Sequence, residues 1–170
     1  MNEITTNNKQ ASAEILVEDT PKYAVYKMPD GRFEKRMKYQ KFWSFVPETN
    51  EELINLFQIM NEQDNPNVIE FKSAIGEVLD IKNVYFNPYS SFDEETGTTN
   101  SGVTTTIETV DGKYYATSSK TVYYNLQNIF DVFGIPNTKD YLGVKVAIVS
   151  TKRQQGNQIS LKLIGLSDKK

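Results

Sequence analysis

Between Arg36 and Trp43 the chain alternates cations with rings: Arg36, Lys38 and Lys41 are interleaved with Tyr39, Phe42 and Trp43, the only tryptophan. Cations can track a phosphate backbone while aromatic faces stack on unpaired bases, and single-strand binders need both together. The plainer role is a core position for Phe42 and Trp43 with the lysines in solvent. A second group is Lys82, Tyr85, Phe86, Tyr89 and Phe92, where four aromatics fall in eight residues as an apolar run turns polar. So many rings are hard to bury together, which suggests a stacking platform at the surface; a loop packed by its own rings is the alternative. Tyr114 and Tyr115 are neighbours on an expected strand, so they point to opposite faces and at most one meets a ligand. Lys152 and Arg153 open an expected hairpin loop, where cations could close over a bound strand. Asp93, Glu94 and Glu95 read as a solvated turn, since they lack a cation-loop pattern.

Missing residue types narrow the chemistry. The chain has no cysteine and no histidine, which removes disulfides, thiolate nucleophiles, Cys/His zinc sites and histidine bases. The nine glycines are scattered singly, with no phosphate-binding loop among them. No enzyme and no cofactor or metal is expected. No apolar run reaches the length of a membrane span, and Met1 to Gln10 are polar where a secretory leader would be basic and then apolar. The expected location is the cytoplasm.

Net charge is −3 over 170 residues, which alone argues weakly against a nucleic-acid partner. Its distribution matters more. From Pro21 to Phe45, seven Lys and Arg against Asp30 and Glu34 give +5, leaving −8 for the remainder.

The elements that must position these groups can be read from punctuation and periodicity. Residues 1–13 are polar and read as a mobile tail. Residues 14–67 read as an extension: a hairpin about Pro29-Asp30-Gly31-Arg32, then a helix capped by Thr49 and Glu52, with Leu53, Leu56, Phe57 and Met60 as its apolar stripe. Residues 68–170 form the main domain. Its first strand runs from Ile75 to Phe86, a polar loop spans Asn87 to Ser101, and Val103–Val110 and Lys113–Thr117 flank the hairpin signal Asp111-Gly112. A helix follows, capped at Ser118 or Ser119, carrying Val122, Leu126, Ile129, Phe130 and Phe133, and closed by Gly134 and Pro136. Two more strands alternate through Val144, Val146 and Ile148, then Ile159, Leu161 and Leu163. The fold class is mainly β with helices. The order β-β-β-α-β-β predicts a five-stranded OB-type barrel, whose ligands lie on the face of the second and third strands between the 1-2 and 4-5 loops.

This order, with YYATSSKTVYYNLQNIF leading into the fourth strand and VAIVSTKRQQGNQISLKLIG closing the barrel, resembles the single-stranded DNA-binding proteins of bacteriophages and conjugative elements of Gram-positive bacteria. The resemblance covers roughly residues 73–165. It implies protection of single strands during phage or plasmid replication, in the bacterial host cytoplasm. The chain ends Ser167-Asp168-Lys169-Lys170, unlike the acidic tip through which the cellular bacterial proteins recruit partners, so recruitment by such a tail is not expected. The expected partner is single-stranded DNA, with RNA and replication proteins left open. A protein-interaction module, such as a replication accessory factor or an inhibitor of a host protein, is the alternative on the same barrel, followed by a sugar- or peptide-binding barrel.

Overall fold

The computed structural model describes residues 13–62 and 64–168. The tail expected at 1–13 lies, apart from Ala13, outside the described residues. The chain divides into two compact units, one of residues 1–39 with 90–101 and the other of residues 40–89 with 102–170.

The first unit contains β1 (Ile15–Asp19), β2 (Tyr23–Lys27) and β3 (Phe33–Met37), joined antiparallel in that order. The expected hairpin is β2–β3. Met28 and Arg32 close its turn through a 2.7 Å backbone bond, and Gly31 takes the positive φ of 87° that other residues avoid. β1 was not expected. Every one of its residues is exposed, Ile15, Leu16 and Val17 included, so it lacks the half-buried alternation by which strands are recognised.

The second unit is mainly β with two helices. In chain order it holds β4 (Phe42–Trp43), α1 (Asn50–Asn61), β5 (Val68–Glu70), a short 3-10 turn (Phe71–Ser73), β6 (Val78–Asp93), β7 (Thr98–Thr109), β8 (Tyr114–Thr117), α2 (Lys120–Phe133), β9 (Val144–Arg153) and β10 (Gly156–Leu166). The far ends of β6 and β7 belong to the first unit. One sheet runs β10-β9-β6-β7-β8-β5, with β4 paired to β6. Seven strands therefore join it where five were expected. β5 pairs parallel with β8, and β4 sets Phe42 opposite Phe86 and Trp43 opposite Tyr85. Helix α1 and β4, grouped with the N-terminal hairpin in the sequence reading, fall in this second unit.

α2 covers one face of the sheet. Ser119 accepts from the Val122 amide as its N-cap, and Gly134 ends it at φ 82°. Val122, Tyr123, Leu126 and Ile129 of α2 are buried, as are Leu79, Val84, Val103, Ile107, Val146 and Ile148 of β6 to β9. The Ser119 hydroxyl also donates to the Ile159 carbonyl at 2.8 Å, and Asn125 accepts from the Leu161 amide at 3.0 Å. α2 thus ties the end of β8 to β10. α1 has the expected capping box of Thr49 and Glu52. Its stripe is rotated from expectation: Leu56 and Ile59 are buried, whereas Leu53 and Phe57 are exposed.

The polar loop expected at Asn87–Ser101 is absent. β6 and β7 continue through it as one long antiparallel arm closed by a tight turn in which Asp93 accepts from the amides of Glu95 and Thr96. Most residues from Pro88 outward are exposed or half-exposed, so no apolar alternation marks the strands. The Asp111-Gly112 turn also differs in detail. Only Gly112 takes positive φ, and Thr109 pairs with Lys113 across a three-residue loop.

Candidate nucleic-acid interface

The expected site residues separate into three groups. Tyr85, Phe86 and Tyr115 are 1%, 3% and 2% exposed and belong to the core. From Asn83 to Phe86 both faces of β6 are covered. Phe86 packs edge-on against Tyr123 of α2 at 4.7 Å between centroids, with Phe42 and Phe130 beside it. Tyr85 meets Trp43 edge-on and gives its hydroxyl to Glu108 at 3.1 Å. Tyr115 donates to Glu77 at 2.7 Å. Burial first, then these carboxylates, push the Tyr85 and Tyr115 phenols well above the usual range. These three rings have no face open for a base in this arrangement. Of the tyrosine pair it is Tyr114 that lies on the other side of β8, half-buried.

The second group is open. Tyr89 is 48% and Phe92 65% exposed, on the second and first unit respectively. Trp43 is half-buried, its indole N–H donating to Asn87 at 3.1 Å while the Lys41 ammonium stands 4.4 Å from the ring centre. Tyr39 is half-buried in the first unit. Lys152 and Arg153 are exposed at the end of β9, opposite Asn157 and Gly156. The expected 4-5 loop is only the two-residue turn Gln154–Gln155. Arg153 lines an open cavity of about 450 Å³ with Thr117, Ser118 and Ile159, and these last three also line one of about 400 Å³ with Ala116 and Thr104.

In the third group the cations already have partners. Arg36 bonds to Glu34 at 2.8 Å and Glu14 at 2.7 Å and lies over the Tyr26 ring; Glu34, then Glu14, hold its charge more firmly than usual against a smaller effect of burial. Lys38 pairs with Asp19. Lys82 reaches Glu108 at 2.8 Å, and that bond raises its pKa. Glu108 is 7% exposed and also accepts from Asn83 at 2.7 Å. The +5 stretch is therefore not a row of free cations.

One contributor escaped the sequence reading. A Cβ on Gly102 would meet the Tyr89 ring, so the glycine is what lets the ring lie this close to the β7 backbone. The usable signal was a glycine inside a strand, which often marks a close approach.

Exposed rings together with cations are what a surface for stacking bases and holding phosphates presents. Residues 37–164 match the family described as Phage Single-stranded DNA-binding protein, and the chain belongs to that family. It is 32% identical over 165 residues, 95% of each chain, to the single-stranded DNA-binding protein of Bacillus phage GA-1. No solved structure matches it. Among the described residues no helix is long and apolar enough to cross a membrane.

Proposed function

We propose that this protein coats single-stranded DNA with little sequence preference and protects it during phage replication in the bacterial cytoplasm. Its barrel is of the OB type, β6-β7-β8-α2-β9-β10, with residues 14–67 as an added hairpin and helix. The paired order β10-β9-β6-β7-β8 supports this reading, because an OB barrel carries its strands in that sequence once opened between the third and fifth. The observation that carries the mode of binding is the contrast in ring exposure. Tyr89, Phe92 and Trp43 offer surface for stacking, and Tyr39 and Tyr114 are half-exposed, while Tyr85, Phe86 and Tyr115 hold the core. Arg36, Lys38, Lys41, Lys82, Lys152 and Arg153 supply the phosphate contacts.

The test is oligothymidine titration of single alanine variants. Tyr89→Ala, Phe92→Ala and Trp43→Ala should each weaken binding by about 5- to 150-fold, the equivalent of about 1–3 kcal/mol of stacking. If all three bind as the wild type does and melt normally, the stacking mode is wrong.

A further inference from the structure

The strands β7 and β8 have a second face, opposite the one α2 covers, and its residues are unsuited to permanent packing. Thr106 pairs with Ala116 and Glu108 with Tyr114, which puts Thr104, Thr106, Glu108, Tyr114 and Ala116 on that face. α1 lies against it. The Asn87 amide donates to the Met60 sulfur at 2.8 Å, and Ile59 and Met60 line an open cavity of about 590 Å³ with Thr104, Thr106 and Ala116.

The fit is poor in two independent respects. The Thr106 hydroxyl is buried without a hydrogen-bond partner, an arrangement that settled interiors avoid. Only Leu56 and Ile59 of the twelve α1 residues are buried, while Leu53, Ile54 and Phe57 stay exposed. A helix of this length is marginal in water without tertiary contacts, so α1 is weakly held. Its approaches, residues 44–49, 62 and 64–67, lie outside any strand and include Asp64 at φ 57°.

We propose that α1 is a displaceable cover over a further stretch of single-strand-binding surface, made by Thr104, Thr106 and Tyr114 on the outer face of β7 and β8. The inference rests on the single-stranded DNA reading above and adds what the strand must displace. When α1 leaves, two hydroxyls become free to bond phosphate, sugar or base edges, and Tyr114 gains an open ring beside the Lys82 ammonium. Glu62 and Asp64 line the same cavity from the end of α1. They would repel phosphate while the helix is docked and depart with it. The closed form therefore holds off weak polyanions, and a strand long enough to fill the face opens it.

The chain lacks cysteine, so Met60→Cys with Asn87→Cys supplies a unique thiol pair between α1 and β6. A short bis-alkylating reagent pins the helix, and the control is the same variant with each thiol capped singly. Pinning should weaken oligothymidine binding by about tenfold or more, since it removes the competent population. In the unmodified protein, amide exchange in α1 should speed up when oligothymidine is added. Equal affinity of pinned and capped forms overturns the proposal, as does slowed exchange in α1. If neither the capped form nor the wild type binds oligothymidine, it is the single-strand reading itself that fails.

Discussion

Glu108 should be among the costliest single positions in the barrel, because three donors converge on one buried carboxylate. Its oxygens accept from Lys82 at 2.8 Å, Asn83 at 2.7 Å and the Tyr85 hydroxyl at 3.1 Å. Asn83 and Tyr85 are 2% and 1% exposed, so no water replaces a lost partner. Lys82 is different. Its side chain is 54% exposed and returns to solvent at little cost, so the penalty comes from the two buried donors. Glu108→Gln keeps the shape and one acceptor oxygen but turns an amide toward a donor, leaving one group unpaired at about 1–3 kcal/mol. Glu108→Ala orphans both and opens a void, for about 3–5 kcal/mol. At roughly 2–4 °C per kcal/mol for a chain of this size, melting should fall by about 2–12 °C for Gln and about 6–20 °C for Ala. Circular dichroism melts at neutral pH would measure this. An alanine variant melting within about 2 °C of the wild type would refute the network as a structural tie.

Gly102→Ala should lift the Tyr89 ring from the strand. The neighbour that must move is the end of a side chain, so melting should change little while oligothymidine affinity falls toward that of Tyr89→Ala; a variant binding like the wild type would show that the ring's seat is irrelevant. At alkaline pH the raised phenols of Tyr85, Tyr115 and Tyr141 favour the neutral form in the fold. The stability they contribute is present below the unfolded tyrosine pKa of about 10 and is lost as pH rises beyond it. Ultraviolet titration should show these phenolates appearing only with unfolding, and their smooth ionisation near pH 10 in a folded protein would contradict their burial.

How far the sequence shows these features depends on whether a side chain's signal is local. The Thr49 and Ser119 caps and the Gly31 and Gly134 turns are recorded within a few residues of themselves, and all four were legible. α1 was found but turned the wrong way. It carries Leu53, Ile54, Leu56, Phe57, Ile59 and Met60 around most of its circumference, so periodicity could not choose the buried side. The arm formed by β6 and β7 was missed because its Asn, Ser, Thr and Asp residues face solvent, where a strand leaves no hydrophobic alternation. Tyr85 and Phe86 were assigned to the surface on the strength of that missing loop. Their burial depends on β4 and α2, which lie some forty residues away on either side in the chain.

The pairing of the cations bears on how an acidic protein can hold a polyanion. Free lysines would attract phosphate strongly but also one another's counterions, and binding would collapse as salt rises, at about −0.7 in log-log slope for each phosphate neutralised on a single strand. Here Lys38 and Arg36 already rest on Asp19, Glu34 and Glu14, at least partly open to solvent. Exposed pairs of this kind contribute only about 0–1 kcal/mol, so exchanging a carboxylate for a phosphate costs little. The exchange also frees a carboxylate that then recruits its own cation, offsetting part of the counterion release. In the proposed mode of binding, electrostatics therefore select the approach of the strand more than they hold it. That mode leaves the greater part of the affinity to stacking on Tyr89, Phe92 and Trp43, which discriminates little among bases because every base has a face to stack.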